Sequence, residues 1–135
     1  MHQETLEIAT SGRGLTDITG QVADAVRRSG VESGLCQLFL QHTSAGLLIT
    51  ENADPDVLSD LETWMSDAAP DGDPRFLHTA EGPDDMSAHV RSLLTGCQLT
   101  IPIQRGRLAL GTWQGVFVWE HRARAHRRQV MVSVG

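Results

Sequence analysis

Three histidines, His42, His78 and His89, stand far apart in a 135-residue chain, each close to residues that could give an imidazole work to do. A neutral imidazole binds divalent metals and carries protons near neutral pH. With Glu81, Asp85 and Asp60, these rings supply the nitrogen and oxygen donors such an ion takes. The run from His78 through Glu81, Asp84, Asp85 and Met86 to His89 matches no standard zinc spacing. The spacing therefore permits a metal site without specifying one, and each ring taken singly reads more readily as an ordinary packed or surface histidine.

Other chemistry is narrowed by what is absent. The chain has no lysine and no tyrosine, and all 11 basic residues are arginine. This excludes a Schiff-base lysine, a phosphate-loop lysine and a tyrosine acid. Cys36 and Cys97 form no Cys-x-x-Cys pair and read as small packing residues. The Gly12, Arg13, Gly14 run lacks the third glycine of a dinucleotide loop. Ser44 follows His42 closely, but no nucleophile elbow surrounds it.

The elements that must position these groups follow from periodicity. Thr5 to Thr10 predicts a strand. Leu15, Ile18, Val22, Ala25 and Val26 predict a helix capped by Thr16 or Asp17 and stopped by Gly30. Cys36, Leu38, Leu40 and His42 share one face of a strand, and Ser44 to Gly46 predicts a turn that makes a hairpin with Leu47 to Asn52. Asp54 and Pro55 open a second helix with Val57, Leu58, Leu61, Trp64, Met65 and Ala68 as its apolar stripe and Asp60 at the margin. Asp84 caps a third, with Met86, Val90, Leu93 and Leu94 as its stripe and Gly96 as its end. Cys97 to Ile103, Val116 to Glu120 and Val130 to Val134 alternate as strands. Helices early and strands late predict an α+β fold of one domain, residues 1–135, with mixed or antiparallel sheets.

Charge is uneven along the chain. Glu51 to Asp85 carries a net of −10, whereas Arg105 to Arg128 carries +5. An acidic total of −6 with three Trp and three Phe argues against a nucleic-acid binder. The arginine-rich stretch reads instead as a grip for phosphate or for an acidic region of a neighbouring subunit, or as a solvated strand and turn. No apolar run approaches the ~20 residues needed to span a bilayer, and Met1 to Glu4 shows no secretory signal, so a cytoplasmic protein without membrane contact is expected.

Four segments carry a family resemblance: Leu40 to Ala45, Glu51 to Pro55, His78 through Glu81 and Asp85 to His89, and Gly111 to Gly115. Glu120, His121, Arg122, Arg127 and Arg128 extend it, so that the chain resembles the YjbQ family over nearly its whole length. Ala123 to His126 departs from it, standing where such proteins usually turn through a glycine. The resemblance implies an α+β subunit assembling as a homotrimer. It also implies a weak thiamine-phosphate synthase activity, joining a pyrimidine diphosphate to a thiazole phosphate with loss of pyrophosphate.

On that basis His42, His78 and His89 are expected to converge on one divalent metal, zinc-like or magnesium. Glu81 or Asp60 would accept a proton or orient a ligand. Thr43, Ser44, Asn52 and Gln114 would position substrate, and Arg122 or Arg127 would bind phosphate oxygens. The alternative is a non-catalytic trimer that binds a phosphorylated metabolite; a purely structural subunit is the third reading.

Overall fold

Alternating apolar residues build most of the framework of the computed structural model, which describes residues 1–135. In chain order the elements are β1 (His2–Ala9), β2 (Gly14–Asp17), α1 (Thr19–Ser29), β3 (Ser33–Leu40) and β4 (Ala45–Glu51). They continue with α2 (Pro55–Ala68), α3 (Asp85–Thr95), β5 (Gln98–Gln104), β6 (Arg107–Leu108), β7 (Gln114–Glu120) and β8 (Arg127–Val134). One sheet runs β1-β8-β3-β5-β6 and the other β2-β7-β4, with every pairing antiparallel. The fold is α+β, as the order of the elements predicts.

The core lies where the two sheets and α1 meet. Cys36, Leu38 and Leu40 of β3, Val130, Val132 and Val134 of β8, and Val116 and Val118 of β7 are all buried in one cluster with Val22 and Val26 of α1 and Ile18 just before it. Each such aliphatic side chain contributes roughly 1.5–3 kcal/mol on leaving water. Both cysteines are free, and burial pushes the Cys36 thiol up to about 11, so it packs and does not react. No helix is long and apolar enough to cross a membrane.

Four sequence expectations change. Leu15 belongs to strand β2, because Gly14–Asp17 pairs with Phe117–Glu120 of β7; the helix begins only at Thr19, whose N–H donates to Asp17 Oδ1 at 2.9 Å. Strands β3 and β4 form no hairpin, since each belongs to a different sheet. The linking residues cross between sheets, with Gln41 N–H donating to Gln129 O at 3.1 Å and His121 N–H donating to Ser44 O at 3.3 Å.

Helices α2 and α3 also depart from their stripes. In α2, Asp54 caps as expected, accepting from Asp56 N–H at 2.9 Å, but Trp64 is 62% exposed and only Met65 is buried. In α3 the inner face is polar: Asp85, Ser87, Ala88 and Arg91 are buried, while Leu93 and Leu94 point outward. Partners waiting inside reverse the apolar rule. Arg91 donates to Glu62 Oε1 at 3.1 Å and to Ala69 O, Ser87 donates to Asp71, and Asp85 accepts from Arg122. The C-terminus of α3 lies so close to β4 that a Cβ on Gly46 would overlap the Thr95 hydroxyl, which explains glycine there.

Candidate metal centre

The i to i+4 spacing of Asp85 and His89 puts both on one face of α3, and the loop before the helix returns His78 to them. The ligand atoms of His78, Asp85 and His89 lie within 4.8 Å of one another, an arrangement able to hold a metal ion. Asp85 Oδ2 is 2.6 Å from His78 Nε2 and 3.1 Å from His89 Nε2. Its other oxygen accepts from Arg122 Nη1 at 2.7 Å.

The tautomer of His89 tests whether a cation fits. His89 Nδ1 lies 2.9 Å from Thr43 O, and a carbonyl only accepts, so Nδ1 carries the proton. In the neutral ring Nε2 then offers a lone pair toward a carboxylate oxygen. Two facing acceptors need a positive charge between them, either a ring proton or a metal ion. Two imidazoles, one carboxylate and a backbone carbonyl orienting a ring make a donor set that fits a divalent cation.

Charge around the centre favours ionised carboxylates. Burial pushes Asp85 up, but the hydrogen bond from His78 and the charges of His89 and Arg122 outweigh it, so its pKa falls below the usual range. Asp84 is likewise lowered overall: burial opposes, and the Ala123 N–H and Arg122 prevail. Arg122 donates to Asp84 Oδ2 at 3.0 Å and to Glu81 O at 3.1 Å as well as to Asp85. Its guanidinium is thus occupied in bracing the acidic side of the centre.

Behind this bracing sits a second charged group. Glu120 is fully buried and takes two hydrogen bonds from Arg128, one at 2.8 Å from Nε, with Thr10 Oγ1 donating at 2.7 Å. Arg128 also donates to Ser44 Oγ at 3.0 Å. Burial raises the Glu120 pKa, but Arg128 and Thr10 outweigh it and hold the group below the usual range. The Ala123–His126 segment passes close to Gly12 without a glycine of its own: a Cβ at Gly12 would stand 2.7 Å from Ala123 O.

The sequence-predicted residues are therefore sorted by the fold. His78 and His89 meet, but the third place belongs to Asp85, not His42. His42 Nε2 accepts from Gln129 N–H at 2.8 Å, and burial followed by the Arg128 charge lowers its pKa, keeping it a neutral acceptor. It nevertheless lines, with His89, Thr43 and Leu93, a cleft of about 440 Å³ beside the centre. Thr43 contributes its carbonyl and Ser44 supports Arg128. Glu81 is exposed and its carboxylate has no protein partner; Asp60 is exposed on α2 and makes no side-chain hydrogen bond. Arg127 points outward to Glu7 at 3.3 Å, whereas its neighbour Arg128 is buried.

Asn52 and Gln114 lie elsewhere. Asn52 Nδ2 donates to Gln114 O at 3.5 Å, and Gln114 Oε1 accepts from Gly111 N–H at 2.7 Å. In the β4–β7 register Glu51 faces Gln114 while Ala45 faces Glu120, which separates these amides from the histidines by about 20 Å of strand. Asp85 stood in the sequence four residues before His89 as one possible donor among several, and only the fold selects it over His42; the role of Arg128 depended on which face of β8 turned inward.

Two antiparallel sheets, three helices and a cluster of two histidines with one carboxylate define an α+β protein with a surface centre able to hold a metal ion. A family model described as UPF0047 protein YjbQ-like matches residues 4–135, and the chain belongs to the YjbQ/UPF0047 family. It is 53% identical over 133 residues to a UPF0047 protein of Synechocystis, covering 98% of this chain and 90% of that one. It is 39% identical to the UPF0047 protein YjbQ of Salmonella typhimurium, covering 98% and 96% of the two chains. Among solved structures, an uncharacterised YjbQ/UPF0047 family protein from Clostridium acetobutylicum superposes with a TM-score of 0.90 at 36% identity, over 98% of this chain and 99% of that one. A conserved hypothetical protein from Thermus thermophilus gives 0.88 at 38% identity, with the same coverage.

Proposed function

We propose that this chain is a divalent-metal-dependent enzyme of the thiamine-phosphate synthase type, acting as a homotrimer. The observation that carries the metal reading is the meeting of His78, Asp85 and His89, with a lone pair of His89 left facing a carboxylate. The reaction class comes from the family resemblance. A thiazole nitrogen forms a bond to the pyrimidine methylene carbon as the carbon–oxygen bond to the diphosphate breaks and pyrophosphate leaves.

When bound, the ion would supply Lewis-acid neutralisation of diphosphate oxygens. The chain's own part is positional. Thr43 O sets the His89 ring, Arg122 sets Asp85, and the exposed, unpartnered Glu81 carboxylate is free to orient a ligand, since the bond exchange itself moves no proton. Asn52, Gln114, Asp60 and Arg127 are not assigned to this centre. Leu35 and Phe39, about half exposed on the outer face of the larger sheet, support assembly, since a neighbouring subunit would cover them.

Calorimetric titration with Zn²⁺ and Mg²⁺ tests the reading. His78→Ala, His89→Ala and Asp85→Ala are expected to abolish binding, while His42→Ala keeps it. Equal loss in His42→Ala would restore the three-histidine set. Pyrophosphate release from the two substrates should require metal and should drop in Glu81→Gln more than substrate affinity does. Metal binding without turnover would instead leave a metal-containing binder of a phosphorylated metabolite.

A further inference from the structure

The largest cavity lies away from the histidines. It is a half-open cleft of about 670 Å³ between α1 and the β5–β6 hairpin, within the size range of small-molecule sites. Val26, Val31, Leu108 and Leu110 supply its apolar lining, and Arg27, Arg105 and Arg107 its positive charge, against one carboxylate, Glu32.

The arginines here differ from the rest of the chain. Eight of the eleven arginines pair with a carboxylate. Of the three that do not, Arg105 and Arg107 both line this cleft. Arg105 also adopts a φ of 54° and is the only non-glycine residue with positive φ; Gly106 follows at 73°. Two such residues in succession make the tight hairpin turn that ordinarily takes Asn-Gly or Gly-Gly. An arginine in that place carries a guanidinium to the rim at a conformational cost.

We infer that the cleft between α1 and the β5–β6 hairpin is a binding site for a small amphipathic anion. The ligand has an apolar body, seated on Val26, Val31, Leu108 and Leu110, and a carboxylate, sulfonate or phosphate group held by Arg105 and Arg107. The arginines expected from sequence to hold phosphate, Arg122 and Arg127, already contact carboxylates; this pair does not. The site is independent of the metal centre.

The test uses the intact protein and two dyes with one shared body, 1-anilinonaphthalene-8-sulfonate and the uncharged N-phenyl-1-naphthylamine. The sulfonate is expected to bind at least ten-fold more tightly than the neutral dye. Arg105→Gly with Arg107→Gln should remove that advantage, and added salt should shrink it. Glu32→Gln should strengthen sulfonate binding several-fold, a reversal of sign that general damage to the fold would not produce. Ala23→Trp, which fills the cleft with its charges intact, should weaken both dyes. Equal affinity for the two dyes, or an unchanged sulfonate affinity in the arginine variant, overturns the inference. Sedimentation of the same samples supplies the last arm: if the arginine substitutions dissociate an oligomer, the cleft is an interface between copies and the inference fails.

Discussion

The two ends of the β2-β7-β4 sheet hold polar residues in opposite ways. At the Ala45–Glu120 end the buried charges are paired: Glu120 with Arg128, Asp85 with Arg122, and the half-buried Arg13 bidentate on Asp71. At the Glu51–Gln114 end, Trp113 is 63% exposed, a Glu51 carboxylate oxygen is buried without a partner, and the arginine-lined cleft begins at Thr19, which accepts from Val116 N–H. The first end is built to hold groups rigidly in place before anything binds. The second leaves an acceptor, Glu51, and two cleft arginines uncommitted. Preorganisation suits an ion, whose ligands must be fixed to tenths of an ångström; open donors suit a larger ligand that completes them.

The largest effect should come from breaking the paired end. Arg128→Ala leaves the buried Glu120 carboxylate without its cation, with only Thr10 and the Arg122 N–H to hold it, and an expected loss of about 3–5 kcal/mol in urea denaturation. Replacing both partners with apolar residues of similar size should restore much of that loss. If Arg128→Ala is as mild as a surface change, the paired end is not a rigid unit.

Acid sharpens the same contrast. His121 is fully buried, its Nε2 lies 3.2 Å from Thr95 Oγ1, and its Nδ1 has no partner. Burial, helped by the charge of Arg91, lowers its pKa from 6.5 to about 3. The unfolded chain therefore binds a proton that the folded chain refuses between those values, and stability is lost as pH falls from about 6.5 through about 3. The loss attributable to this ring is on the order of a few kcal/mol. His121→Phe should flatten stability against pH over that window; an unchanged slope would show that the ring is not the titrating group.

A smaller effect is expected where a bracing residue acts through a ligand. Arg122→Gln should lower metal affinity about 10–100-fold, as loss of a partner that orients a ligand does. An unaltered affinity would detach Arg122 from the centre. The smallest change is at the open end, where Arg105→Gly should raise stability by about 1 kcal/mol by relieving the positive φ while it weakens anion binding. A destabilised variant would mean that Arg105 serves the fold.

Much of this was legible in the sequence, and the failures have a common form. Strand alternation correctly placed Ile101, Ile103, Val130, Val132 and Val134 in the core, and Asp54–Pro55 marked the start of a helix. The α3 stripe pointed the wrong way because an apolar pattern assumes apolar neighbours, and here Glu62, Asp71 and Arg122 on facing segments take polar partners from the helix. Arg127 was favoured for phosphate on the strength of its type, yet a one-residue step along β8 exchanges outside for inside. His78 and His89 could be named from type and position; that Asp85 and not His42 completes their cluster could not.

What the amino-acid order determined by itself is local: which segments alternate, where helices start, which residues could bind an ion, and which chemistries lack their residue. Those properties depend on neighbours a few positions away, where backbone sterics and side-chain period act directly. Only the tertiary structure decided that β3 and β4 part into separate sheets, that polar groups fill the inner face of α3, and that two arginines stand unpaired over the largest cleft. Each of those outcomes rests on contacts between residues distant along the chain, and no local period encodes which distant charge will be waiting.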